Sequence, residues 1–349
     1  MRKGFMLLIV VVLVAGCKTV GGSGLDTVNP DSPGLRITNN PDEARIITSD
    51  IDNFGWVYDE ATPDDGFKIF REEYFERGSL GLQEFERIKI RSVNDFVFTI
   101  WSHARYYASV RSSTLAVHSQ ESRIRGSFRK LKELYPDALF PSVYFVIGSL
   151  NSGGISTGQG VIIAAELFSE TTSSPLDELN RWEKSVVQPV DKIDEVVAHE
   201  LIHYQQRFAG TLNTLLERSI AEGVADFLSE LIAGAQINEV PHEYGDRHEQ
   251  RLWNEFREAM HGSDLTQWLY NGGAVAARGD PADRPADLGY YVGYKICQAY
   301  YQKAQDKKKA VKDMLTIVDF DRFLQESGYG STFPPVARSL VNRGPSLEE

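Results

Sequence analysis

Cysteine is almost missing from this chain of 349 residues, with Cys17 and Cys297 the only two. That excludes a disulfide framework, so stability has to come from a packed core. An excess of positive charge is missing too. Lys and Arg number 37 against 49 Asp and Glu, for a formal charge of −12. Such a balance argues against gripping nucleic acid or an anionic lipid surface. There is no internal repeat and no Gly-x-x-x-x-Gly-Lys-Ser/Thr run to cradle a phosphate. The apolar run near the start, Phe5 to Val14, is too short to span a membrane comfortably. What remains is a chain with 42% hydrophobic residues, enough for one large domain or two small ones.

Arg2 and Lys3 precede that apolar run, and Ala15-Gly16-Cys17 closes it, which is the layout of a secretory signal over residues 1–16. The stretch Val14-Ala15-Gly16-Cys17 resembles a bacterial lipobox. By that resemblance Cys17 becomes the lipidated first residue of the mature protein. Lys18 stands where an aspartate would hint at inner-membrane retention, so the outer membrane is favoured. Loss of residues 1–16 moves the formal charge from −12 to −14, because Arg2 and Lys3 leave with them. Residues 17–43 are rich in Gly, Pro, Asn, Asp and Ser, the composition of a flexible tether.

Residues 44–137 read as a helical region, with apolar and aromatic positions three or four apart and a break near Gly78 and Gly81. A helix over about Glu121 to Leu134 stops before Pro136. The texture changes over 142–168, where two short β-rich runs flank a glycine- and serine-rich loop. Helical patterns return over about 191–208, 212–233, 246–260, 288–305 and 307–316. Helices, a small sheet, then helices again is an α+β pattern, with residues 138–349 as the second domain.

One stretch in that domain, "VVAHELIHYQQRFAG" (196–210), carries chemistry. At 100° per residue, Ile193, Val196, Val197, Leu201, Tyr204 and Phe208 form one apolar stripe, with His199 and His203 on its flank. Glu200 falls inside the stripe. An unpaired buried carboxylate costs several kcal/mol, so either a cation faces Glu200 or the stripe opens onto a polar cavity. Histidines at i and i+4 can present two imidazole nitrogens to one zinc ion, and the glutamate after the first can serve as general base to the metal's water. The pattern His-Glu-x-x-His arises by chance in roughly one chain of this length in a hundred.

The sequence resembles the gluzincin group of zinc peptidases, whose type case is thermolysin and whose next helix carries Glu-x-x-x-Asp. Here "SIAEGVADFLSELIAG" places Glu222 and Asp226 in that relation. The resemblance implies a zincin-like core, Glu222 as the third zinc ligand, and Asp226 as acceptor of a hydrogen bond from a ligand histidine. Read without it, Ser219, Glu222, Asp226 and Glu230 also fit a solvated helix face, and Glu217 is available as a ligand. Gly223 speaks against the solvated face, since glycine inside a helix often marks close packing. No third histidine follows at the metzincin spacing. Gluzincins often add a tyrosine or histidine that stabilises the oxyanion. "DLGYYVGYKICQAYY" offers Tyr290, Tyr291 and Tyr294, of which Tyr290 is favoured, and "PHEYGDRHEQ" offers His242 and His248. An aromatic core stripe and a hydrated loop are the plain readings of those two segments.

The run "GVIIAAELF", with Gly153, Gly154, Gly158 and Gly160 near it, is a candidate strand edge for a peptide, or simply a hairpin. More closely, "VVAHELIHYQQ", "AEGVADF", "LGYYVGYKICQAYY" and "LQESGYG" resemble a family of exported bacterial lipoproteins with a predicted zinc-protease domain, related to a gliding-motility lipoprotein group. That likeness spans about residues 140–330. It implies a membrane-anchored zinc metallopeptidase acting on a peptide or protein substrate. The rival is a non-catalytic zinc-binding scaffold for envelope assembly or gliding-type motility.

The lipobox resemblance makes one forecast. Cys17→Ser should leave folding intact but move the protein out of the membrane fraction. Unchanged partitioning, with no lipid found on the chain by mass spectrometry, would refute the anchor.

Overall fold

The computed structural model describes residues 36–272 and 284–333. The signal segment, Cys17 and the tether up to residue 35 lie outside the described residues. Strands are short: β1 (Ile37–Thr38), β2 (Ile46–Ile47), β3 (Phe140–Pro141), β4 (Val143–Val146), β5 (Gly154–Thr157) and β6 (Gly160–Ala164). Helices dominate. The front region holds α1 (Ser49–Glu60), α2 (Gly66–Ile69), α3 (Leu80–Phe85), α4 (Val93–Ser102), α5 (Ala104–Leu115) and α6 (Glu121–Leu134). After the strands come α7 (Arg181–Val186), α8 (Ile193–Gln205), α9 (Leu215–Ala233), α10 (Glu239–Ala259), α11 (Leu288–Lys303), α12 (Lys307–Leu315) and α13 (Phe320–Ser327). The α+β reading stands.

The main sheet has the order β2-β4-β6-β5. β2, β4 and β6 run parallel, and β5 lies antiparallel to β6 at the edge. Every residue of β4 and β6 is buried, as expected of strands covered on both faces. Alternation assigns the covers. Tyr144 of β4 lies against Gly81 of α3, whereas Gly154 of β5, beside Ile163 of β6, lies against Glu200 of α8. The sheet is therefore held between α1 and α3 on one side and α8 on the other.

Two expectations change here. The glycine- and serine-rich loop between the β-rich runs contains β5, the edge strand. The run "GVIIAAELF" supplies β6, which is paired on both sides, so it offers no edge. β5 escapes the hydrophobic pattern because Gly-Ile-Ser-Thr carries one large apolar side chain, and an edge strand needs no more.

The turn from β4 to β5 buries Ile147, Gly148 and Leu150, so their backbone groups must find partners inside the protein. Tyr74 donates its hydroxyl to the Ile147 carbonyl and accepts from the Ile147 N–H, both at 2.8 Å. Tyr107 donates to the Gly148 carbonyl at 2.8 Å. The fully buried Glu166 carboxylate accepts from the N–H groups of Gly148 and Leu150, at 2.8 and 3.1 Å. Burial pushes that carboxyl up to about 7 despite these bonds. Front helices thus fix the turn that delivers β5, and a single hydrophobic cluster runs from Ala44 to Tyr329.

The back half turns on a close helix pair. A Cβ added to Gly223 of α9 would overlap the backbone of Gly293 and Tyr294 in α11, and one added to Gly293 would overlap the Ser219 carbonyl. The two backbones touch, as the glycine inside α9 suggested. By helix propensity alone Gly223→Ala should stabilise by about 1 kcal/mol. Since the obstacle is backbone and cannot rotate away, we expect the opposite sign, a loss of about 1–3 kcal/mol as for overpacked cores. Urea denaturation reads the difference.

Candidate metal centre

α8 carries "HELIH" with its apolar stripe buried: Ile193, Val197, Leu201 and Ile202 are all inaccessible. α9 begins with a capping box. The Thr214 hydroxyl accepts from the Glu217 N–H, and Glu217 accepts from the Thr214 N–H at 2.8 Å. Glu217 is therefore spent on the helix start and is not at the histidines. Ser219, Glu222 and Asp226 are at most 3% exposed. The side of α9 that could have been a solvated face is buried against α8 and α11.

Three donor atoms converge. Nε2 of His199 and Nε2 of His203 are 3.1 Å apart, and Oε2 of Glu222 lies 3.1 Å from the second and 3.6 Å from the first. Ligands 2.0–2.1 Å from a tetrahedral zinc ion are about 3.3 Å from one another, so this triangle has the size that zinc requires. Among the described residues, these three form the cluster of His, Cys, Asp or Glu able to hold a metal. Cys297 is buried elsewhere, beside the Ile220 carbonyl.

The remaining atoms of each group are held in place. Nδ1 of His199 lies 2.8 Å from Asp226 Oδ1, and Asn238 donates to the other Asp226 oxygen at 2.8 Å. Nδ1 of His203 is 2.9 Å from Gln206 Oε1, while the Gln206 amide donates to the Ala221 carbonyl at 2.7 Å. Tyr270 donates its hydroxyl to Glu222 Oε1 at 2.5 Å. Both imidazoles are thereby turned with Nε2 toward Glu222 Oε2.

Electrostatics match a site built for a cation. Burial alone would push His199 down, but hydrogen bonds to Asp226 and Glu222 outweigh it and raise it to about 10. Burial likewise opposes charge on His203, and the Glu222 carboxylate beside it raises it. Burial would lift the Glu222 carboxyl, yet the two histidines hold it well below the usual carboxylate range. The carboxylates of Glu222 and Asp226 thus draw positive charge to the two imidazoles; a divalent ion, which binds neutral imidazole, would take the place of those protons.

Glu200 is half-buried next to the histidines, on the side of α8 covered by β5. A Cβ on Gly154 would come within 2.9 Å of its Cγ and 3.1 Å of Oε1. Glycine at 154 is what leaves room for the carboxylate. The expected cation near it has a counterpart in half-buried Lys89. Burial pushes that ammonium down, while Glu200 and Glu222 draw it back up. Of the three tyrosines, Tyr290 borders the site, its ring 6.3 Å from that of His199. Tyr291 and Tyr294 turn away, bonding Asp246 and Glu230 at 3.1 and 2.6 Å. His242 packs between those two rings and His248 stacks on Tyr244, so neither histidine joins the cluster.

Sequence reasoning missed Tyr270, Gln206, Asn238 and Lys89. Gln206 had a signal, since it follows His203 by three and such residues meet along a helix. The others reach the site from separate segments and left none.

The geometry separates the two acidic groups of α9. Glu222→Ala removes one of three converging donors and should purify largely free of zinc. Asp226→Ala should still bind zinc, about 10–100-fold more weakly. Competition with a chromophoric chelator measures both, and full zinc occupancy in Glu222→Ala would remove Glu222 from the ligand set.

No curated protein and no solved structure matches the chain. A family model does, and it extends well into the helical front, which the earlier likeness over about 140–330 had left out. Described as "Gliding motility protein GldB", that model matches residues 67–331, so the chain belongs to the GldB lipoprotein family.

Proposed function

We propose that this chain serves gliding-type motility as a lipid-anchored envelope protein whose body holds one zinc ion on His199, His203 and Glu222. Family membership supports the role. The observation that carries the metal is the buried triangle of two imidazole nitrogens and one carboxylate oxygen. Calcium and magnesium prefer all-oxygen cages, whereas this mixed set suits zinc. Attachment through Cys17, with the outer membrane as destination, follows from the lipobox-like start. Among the described residues no helix is long and apolar enough to cross a membrane.

Hydrolysis of a peptide or protein by a gluzincin-type, zincin-like core is the second reading, and the placement of Glu200 favours it. Three protein ligands are the number used by catalytic zinc. Bound zinc would supply Lewis acidity to a substrate carbonyl and to water. The Glu200 carboxylate, half-buried where Gly154 leaves room for it, would take a proton from the attacking water and pass it to the leaving nitrogen. The Tyr290 hydroxyl would donate to the carbonyl oxygen as it gains charge. The unpaired side of β5 would align an extended peptide.

Glu200→Gln separates the two. It keeps shape and polarity but removes the proton acceptor. On the scaffold reading, the variant keeps its zinc and restores gliding to a deletion strain as well as the parent does. A variant that keeps zinc but fails to restore gliding, together with a ~10²–10⁴-fold fall in peptide hydrolysis, would transfer the assignment to the peptidase. Absence of zinc from the purified parent would remove both readings.

A further inference from the structure

We infer that Tyr270 is a positioning residue that restricts Glu222 to a single oxygen at the metal. The inference rests on the zinc reading above. A carboxylate can bind a metal through one oxygen or both. Here the Tyr270 hydroxyl occupies Oε1 at 2.5 Å, while Oε2 faces the two imidazoles at 3.1 and 3.6 Å. With Oε1 engaged, Glu222 contributes one ligand atom and the protein contributes three.

The backbone around Tyr270 is arranged to hold that hydroxyl. Tyr270 has φ of 56° and Asp287 has φ of 62°, left-handed conformations that strain a residue carrying a side chain. A reciprocal clasp spans the two. The Asn271 N–H donates to Asp287 Oδ1 at 3.1 Å, and the Asp287 N–H donates to Asn271 Oδ1 at 2.8 Å. Asn271 also donates its side-chain amide to the Thr266 carbonyl at 3.1 Å, and it is only 5% exposed. Asp287 immediately precedes α11, which carries Tyr290, and the Tyr270 and Tyr290 rings meet edge to face at 6.3 Å. One buried clasp thus fixes the tyrosine on Glu222 and the start of the helix whose tyrosine lies on His199. Strained residues without glycine persist where the surroundings over-determine them, and here the determined object is the Glu222 carboxylate.

Two metal probes test this: zinc affinity by chelator competition, and the visible absorption of the cobalt(II)-substituted protein. Four-coordinate cobalt(II) absorbs strongly, and the bands weaken when a fifth ligand is added. In Tyr270→Phe the released Oε1 should join Oε2 on the metal. The cobalt bands should then lose intensity, and zinc affinity should fall about 10-fold or more. Asn271→Ala leaves the hydroxyl present but loosens its mount, so it should shift both readouts in the same direction by less. It also serves if Tyr270→Phe fails to fold. Bands and affinity identical to a metal-binding parent in the folded variants would overturn the role of Tyr270 while leaving the zinc reading in place. A parent that takes up neither metal would overturn both.

Discussion

The contact on which the rest of the molecule depends is the backbone-to-backbone seam between α9 and α11. Gly223 meets Gly293, and Gly293 in turn meets the Ser219 carbonyl, with no side chain between them. Helices normally pack 8–10 Å apart because side chains separate them. Removing those side chains lets one helix present Glu222 and Asp226 while its neighbour brings Tyr290 over the same histidine. A wider spacing would carry Tyr290 off the His199 ring. The burial of Glu222 and Asp226 on one face of α9 is tolerable because each carboxylate has polar partners, His203 and Tyr270 for the first and His199 and Asn238 for the second.

The second organising constraint is the division of work among the oxygen and nitrogen atoms of the cluster. Each histidine has one nitrogen held by a neighbour, Asp226 or Gln206, and Glu222 has one oxygen held by Tyr270. What each holds back is turned inward. This is why these three atoms come so close together, with the Glu222 carboxylate balancing the imidazoles beside it. Preorganisation of this kind would lower the cost of ordering these groups around an ion.

Much of this was legible in the sequence, and the reasons for the rest are specific. The α6 span, Glu121 to Leu134, coincides with its apolar periodicity, and the helices around His199 and Glu222 lie within the spans that period 3.6 suggested. α10 begins at Glu239, earlier than its pattern indicated, because Pro241 sits in the first turn, where a missing N–H costs nothing. Glu217 could have been assigned in advance, since Thr-x-x-Glu ahead of an apolar run is a helix-start signature. Tyr270 could not. It meets Glu222 across 48 positions from a segment with no periodicity, and only the folded chain brings the two together.

The amino-terminal end carries a mechanical consequence. Arg125 of α6 donates through one nitrogen to the carbonyls of Pro41, Asp42 and Ala44, at 3.3, 3.0 and 3.1 Å, while Arg129 pairs with the Asp42 carboxylate. Just ahead, Ile37 and Thr38 pair with β3, and just behind, Ile46 and Ile47 pair with β4. Tension applied through the chain before Arg36 would therefore meet three fastenings in series. It would have to peel a two-residue strand, then unhook a guanidinium, before any pull reached the main sheet. The hook sits on α6, which packs against both α8 and α9, so a pull arriving from the amino-terminal side would be braced by the same helices that carry His199, His203 and Glu222.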